Sequence, residues 1–147
     1  KTPFEERLGA FSPDSRWIAY ESNESGRNEI FIRPFAPPSQ TTTGQVTQWQ
    51  VSTAGGLHPR WRADGKELYY IGPNGEMTAV SIAVHGTALN VGMPTTLFRT
   101  TIYGGGVENS LGRQYDVTPD GQFVIHSMLD GAAGPITLIQ HWTPDSK

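Results

Sequence analysis

The chain has 147 residues, of which 36% are hydrophobic, 10% aromatic and 17% charged, with 17 Gly and 11 Pro; this excludes a disordered chain and describes a turn-rich β protein large enough to bury a core. A net charge of −3, with no basic cluster longer than Arg60-Trp61-Arg62, excludes the electrostatic footprint of a nucleic-acid or anionic-membrane binder. The absence of cysteine rules out a disulfide scaffold and a thiolate zinc site, and no apolar run reaches the roughly 18–20 residues of a membrane span.

Taken in order, the chain opens with Lys1-Thr2-Pro3-Phe4-Glu5-Glu6, which has no signal-peptide character. Phe11-Ser12-Pro13-Asp14-Ser15-Arg16-Trp17-Ile18-Ala19-Tyr20 then reads as a strand, a turn and a strand with period-two alternation. In the turn, Pro13 presets φ and Asp14 bonds backbone further on, while Ser15 resists the left-handed conformation that a glycine would accept. A third strand is predicted at Glu29-Ile30-Phe31-Ile32-Arg33, and a fourth at Thr47-Gln48-Trp49-Gln50-Val51 after a long Pro- and Thr-rich loop over 34–44.

The pattern then repeats. Trp61-Arg62-Ala63-Asp64-Gly65-Lys66-Glu67-Leu68-Tyr69-Tyr70 is a second hairpin, followed by strands at Met77-Thr78-Ala79-Val80-Ser81-Ile82 and Thr95-Thr96-Leu97-Phe98. A long connection over 100–112 carries Gly104-Gly105-Gly106 and leads to a third hairpin, Val117-Thr118-Pro119-Asp120-Gly121-Gln122-Phe123-Val124-Ile125-His126. Ile136-Thr137-Leu138-Ile139-Gln140-His141-Trp142 is its third strand, and no fourth is legible before Lys147.

The aspartates at 14, 64 and 120 lie 50 and 56 residues apart, near the roughly 40–50 residues of a propeller blade. The expected fold is therefore all-β: three four-stranded antiparallel blades of a β-propeller, spanning about 1–53, 54–100 and 101–147. A β-sandwich is the competing all-β architecture, but it does not require an Asp-centred hairpin to recur at the same place in each unit. Three blades do not close a ring, which takes about four to eight. The expectation is a fragment, completed by a further segment or by a second copy in a six-bladed homodimer with a two-fold axis.

Phe11-Ser12-Pro13-Asp14, Trp61-Arg62-Ala63-Asp64-Gly65 and Val117-Thr118-Pro119-Asp120-Gly121 resemble the aromatic and Ser-Pro-Asp-Gly repeat of the TolB-like, WD-related β-propeller family. Arg27-Asn28-Glu29-Ile30-Phe31-Ile32-Arg33-Pro34-Phe35, with Trp49-Gln50-Val51-Ser52-Thr53-Ala54-Gly55-Gly56 and Pro59-Arg60-Trp61, is similar to carboxy-terminal propellers attached to some bacterial Ser/Thr protein kinases. The resemblance implies the last blades of a usually six-bladed propeller, a non-catalytic interaction or sensing module of a larger bacterial protein, and favours a periplasmic or extracellular compartment over the cytoplasm. The same propeller type also gates prolyl-oligopeptidase-like hydrolases. The chain itself contains no kinase Gly-rich loop, His-Arg-Asp or Asp-Phe-Gly and no Gly-x-Ser-x-Gly elbow.

Candidate chemistry is sparse, and neither catalytic residues nor cofactors are expected. His58, His85, His126 and His141 show no metal-ligand spacing, no calcium loop is written, and Gly104-Gly105-Gly106 lacks the Lys-Ser/Thr of a phosphate cradle. Asp14, Asp64 and Asp120 read as turn-capping residues. Trp17, Trp49, Trp61 and Trp142 could form a carbohydrate platform but are expected in the core between blades. Loops entering the innermost strand of each blade and loops joining its second and third strands share one rim in the family's geometry. That rim carries Glu24, Arg27, Gly56, His58, Arg60, Asn74, Tyr103, Glu108, Asn109 and Arg113. It is the expected docking face for a protein or peptide partner.

Overall fold

The computed structural model describes residues 3–35, 47–102, 112–126 and 137–139, the last by backbone alone. Among these residues there is no helix. The strands are β1 (Glu6–Phe11), β2 (Trp17–Ser22), β3 (Glu29–Pro34), β4 (Trp49–Gln50), β5 (Leu57–Trp61), β6 (Glu67–Ile71), β7 (Glu76–His85), β8 (Ala88–Val91), β9 (Thr95–Arg99), β10 (Tyr115–Val117), β11 (Phe123–Ile125) and β12 (Thr137–Ile139).

They form three antiparallel meanders: β1-β2-β3-β4, then β5-β6-β7-β9, then β10-β11-β12. This is the all-β, blade-by-blade arrangement of part of a propeller. The second sheet has an addition that the strand periodicity over 77–82 does not announce. β7 runs on to His85 and turns back through Gly86 (φ 64°) into β8, giving a hairpin arm that projects beyond the four-stranded blade. Arg16 Nη2 donates to the Gly86 carbonyl at 2.7 Å, fixing the tip of the arm to the first hairpin.

Consecutive residues of a strand face opposite sides of its sheet, and the second sheet is buried on both. Leu68, Tyr70, Val80 and Ile82 pack towards Trp17, Ala19, Ile30 and Ile32 of the first sheet. Tyr69, Ile71, Met77 and Ala79 pack towards Tyr115, Phe123 and Ile125 of the third. Trp17 is buried, crosses Trp49 edge-to-face at 5.5 Å, and has Trp61 against the same cluster. These three tryptophans thus belong to the core between sheets, and Trp142 lies outside the described residues. The first strands of the sheets come together, with β5 touching both β1 and β10.

The three hairpin turns share their bonds. The N–H groups of Ser15, Gly65 and Gly121 donate to the carbonyls of Ser12, Arg62 and Thr118 at 2.8, 2.9 and 2.9 Å. Asp14 Oδ1 accepts from Ser12 Oγ at 2.6 Å and from Arg16 N at 3.1 Å, Asp64 Oδ1 accepts from Lys66 N at 3.0 Å, and Asp120 Oδ1 accepts from Thr118 Oγ1. The Ser12 bond, with the Arg16 amide second, holds the Asp14 carboxyl below its ordinary value.

The third turn is one residue shorter. Val117 pairs with Phe123, whereas Phe11 pairs with Ile18 and Trp61 with Leu68. A one-residue slip exchanges the faces of a strand, so Phe123 faces back into the second sheet whereas Trp17, at the same offset in the repeat, faces forward into it.

All three turns need a left-handed residue: φ is 56° at Ser15, 71° at Gly65 and 85° at Gly121. An L-residue pays roughly 1–2 kcal/mol there, partly offset by the roughly 0.5–1 kcal/mol of extra chain entropy a glycine loses. Ser15→Gly is therefore expected to stabilise the chain by about 0.5–1 kcal/mol. A higher urea midpoint at unchanged m-value is the expected readout, and an unchanged or lower midpoint would contradict it.

Candidate functional site: the inner-strand rim

The sheets are tied to one another at the end where second and third strands meet. The Gly56 amide donates to the Asn28 carbonyl at 3.0 Å and Arg27 Nη2 to the Thr53 carbonyl at 2.6 Å, so the β2–β3 loop holds the crossover into β5. In the second sheet the Thr100 amide and hydroxyl both donate to the Gly75 carbonyl, at 2.9 and 2.6 Å. Asn74 sits in that β6–β7 turn with its amide on Glu76 Oε2 at 2.9 Å. A Cβ on Gly56 would lie 2.7 Å from Ser52 Oγ and 2.8 Å from Ile30 Cγ1, so this close crossing admits only glycine.

Two buried carboxylates organise this end. Glu29 is 1% exposed; it accepts from Arg27 Nε at 2.7 Å, from the Gly55 amide at 3.0 Å to each oxygen, and from Ser52 Oγ. Glu21, also buried, accepts from the His58 amide at 2.5 Å. That bond stabilises an unusual backbone, for His58 has φ 56° at a shift of register in β5 between Leu57 and Arg60. β1 has the same device, with Leu8 at φ 49° and a shift between Arg7 and Ala10. Such bulges bend a strand and re-aim its side chains. A non-glycine left-handed residue persists only where its surroundings fix it.

The bulge in β5 delivers Arg60 into the interior, 5% exposed. Its Nη1 donates to the Pro59 carbonyl at 2.8 Å, and its Cζ stands 5.9 Å from the centre of the Tyr115 ring. Nε is 3.4 Å from Asp116 Oδ1 without hydrogen-bonding geometry, and that carboxylate is 73% exposed. Burial, and secondarily the nearby Arg113 charge, depress the proton affinity of Arg60; a guanidinium nevertheless stays charged. Tyr115 is buried, and burial drives its hydroxyl well above the ordinary value of 10, so it stays neutral. Arg113 Nη2 reaches across to the Gly9 carbonyl of β1 at 3.4 Å. Arg113, Tyr115, Asp116 and His126 border a cleft of about 400 Å³.

The residues expected on this rim separate into two groups. His58 and Arg60 lie on the inner strand and are buried, with Arg113 exposed at the entry to β10. Glu24 and Arg27 are on the β2–β3 loop, where Glu24 Oε1 accepts from Gln48 Nε2 and Arg27 bonds Glu29 and Thr53. Tyr103, Glu108 and Asn109 lie outside the described residues, as do Gly104-Gly105-Gly106 and His141. Glu21, Glu29, Tyr115 and Asp116 were not singled out by sequence. His85 and His126 are exposed, and no group of three or more His, Asp or Glu among the described residues could hold a metal. A cleft of about 510 Å³ opens at the opposite end, lined by Asp14, Trp17, Asp64 and Lys66 beneath the β7–β8 arm.

No family model matches the chain, and no curated protein matches it. Among solved structures it is similar to the crystal structure of TolB from Acinetobacter baumannii, at 15% identity and a TM-score of 0.44. The match covers 92% of this chain and 41% of that one, so the chain spans well under half the length of that protein.

Proposed function

We propose that the chain is a non-catalytic protein-interaction or sensing module, the carboxy-terminal part of a TolB-like propeller in a larger bacterial protein, and that its partner docks at the inner-strand rim. The observation that carries this reading is the concentration of costly features at that end. Bulged inner strands with left-handed Leu8 and His58, two buried carboxylates and a buried guanidinium all lie there, whereas the turns at the opposite end satisfy their bonds locally and hold one left-handed non-glycine residue, Ser15. Strain and buried charge reduce stability, and they are tolerated where a site needs them. A kinase-associated character is inferred from the sequence similarity of 27–35, 49–56 and 59–61, and the protein or peptide nature of the partner from the mixed polar and aromatic rim.

Selection of a random dodecapeptide display library on the chain tests the proposal. Binders are expected to be enriched, and Arg113→Ala is expected to weaken them about tenfold or more. Lys66→Ala, on the opposite turn, is expected to leave them unchanged. Absence of enrichment, or equal loss in both variants, would overturn the reading.

A further inference from the structure

Three buried polar groups of Arg60 and Tyr115 at the inner-strand rim, Nε, Nη2 and the phenol, meet no hydrogen-bond partner among the described residues. Arg60 offers five N–H groups in a planar fork, and among the described residues only Nη1 meets a hydrogen-bond acceptor, the carbonyl of Pro59. Nη2 and Nε make no hydrogen bond, and neither does the buried Tyr115 hydroxyl. The nearest counter-charge, Asp116, is largely in solvent and already accepts from the Val117 amide at 2.9 Å. Arg113 adds a second positive charge close enough to be felt by Arg60. Arg60 and Arg113 thus bring two cations, and Tyr115 a hydroxyl able to donate, beside a cleft of about 400 Å³ lined by Arg113 and Tyr115 together with Gln114, Asp116 and His126.

We propose that Arg60, Tyr115 and Arg113 form a recognition point for a carboxylate group carried by a peptide. A carboxylate matches the guanidinium fork with two parallel acceptors and can take a third bond from a phenol. It reaches the fork by displacing the long, solvent-exposed contact of Asp116. Asp116 limits the site to weak ligands when it competes and leaves the guanidinium neutralised when the ligand departs. This rests on the reading of the rim as a docking face, and it specifies what the partner must present there.

The test follows the Arg60 Nε–H signal in ¹H–¹⁵N spectra of the whole chain. The titrants are sodium acetate, Ac-Gly-Glu-Gly-NH2, Ac-Gly-Gly-Gly-OH, Ac-Gly-Gln-Gly-NH2 and sodium chloride. Saturable shifts with acetate and with at least one carboxylate peptide are expected, but not with the glutamine peptide or chloride. Whether the glutamate or the free terminus binds more tightly tells a side-chain source from a chain end. Tyr115→Phe removes a hydroxyl that the fold does not use, so its thermal midpoint is expected to stay or rise while carboxylate affinity falls about tenfold. Arg60→Lys keeps the charge but loses the fork, and is expected to lose affinity as well. Chloride shifting Arg60 as acetate does, no shift by either carboxylate peptide, or Tyr115→Phe binding as the parent does, would each overturn the proposal. If these probes fail while Arg113→Ala still weakens display-selected peptides, the carboxylate site falls and the docking face stands. Failure of the selection with the probes still binding removes the docking face alone.

Discussion

Replacing Glu29 by alanine is expected to destabilise the chain by about 3 kcal/mol, although the residue belongs to neither the core clusters nor the cleft. Its carboxylate is 1% exposed, and the groups it holds are the Ser52 hydroxyl, the Gly55 amide and the Arg27 guanidinium. Ser52 Oγ in turn accepts from the Ile30 amide at 2.8 Å. Without the carboxylate, a hydroxyl and an amide lose their acceptor in a tight crossing, and each unmet buried donor costs about 1–3 kcal/mol. Arg27 contributes less to this total because its side chain is 62% exposed; Arg27→Ala is expected to cost less than about 1 kcal/mol. Urea denaturation of the two variants separates the cases, and equal effects would show that the exposed ion pair, not the buried acceptor, organises the crossing. Since the crossing leads straight into β5, Glu29→Ala should also weaken ligands that bind near Arg60 while touching none of them.

The second large effect is expected at Ile71. This side chain is fully buried between the second and third sheets, in a cluster with Leu57, Met77, Tyr115, Phe123 and Ile125. Ile71→Ala removes transfer energy and leaves a cavity, together about 3 kcal/mol. Stacked repeats hold one another mainly through nearest-neighbour interfaces, so the loss should be felt unevenly. Hydrogen-exchange protection is expected to fall at the Tyr115 and Phe123 amides and to persist at Ile30 and Ile32, which pack in the other interface. A uniform fall across all three sheets would instead mean that they unfold as one unit.

The hairpins are legible in the sequence because turn chemistry is local. Ser12-Pro13-Asp14, Asp64-Gly65 and Asp120-Gly121 specify their turns whatever surrounds them, and the apolar runs of β2, β6 and β7 match strands buried on two faces. The β7–β8 arm had a signal too, in Val84-His85-Gly86-Thr87-Ala88-Leu89, where a glycine separates two apolar stretches. The shortened third turn is harder to read, because aligning the repeats by residue type places Phe123 opposite Trp17 although pairing puts it one step further on.

The site is mostly non-local and was correspondingly hidden. Nothing in the residue type at His58 announces a left-handed bulge; that conformation is held by Glu21, 37 residues earlier. Glu21 and Glu29 read as ordinary polar strand positions, and become buried acceptors only because the crossover into the next sheet closes over them. Tyr115 is one aromatic among many until Arg60 arrives beside it from another sheet. The family resemblance implies a shared rim for His58, Arg60 and Arg113, but nothing in it implies that the first two are buried.

The most direct test of a docking face at the inner-strand rim is an amide shift map of the ¹⁵N-labelled chain with a display-selected peptide bound. Perturbations are predicted at Arg113–Asp116, which line the cleft, and at Gly56–Arg60, whose strand β5 packs beside β10. A map confined to the Asp14, Asp64 and Asp120 turns, or to the exposed Phe11 and Phe35 pair on the first sheet, would contradict it.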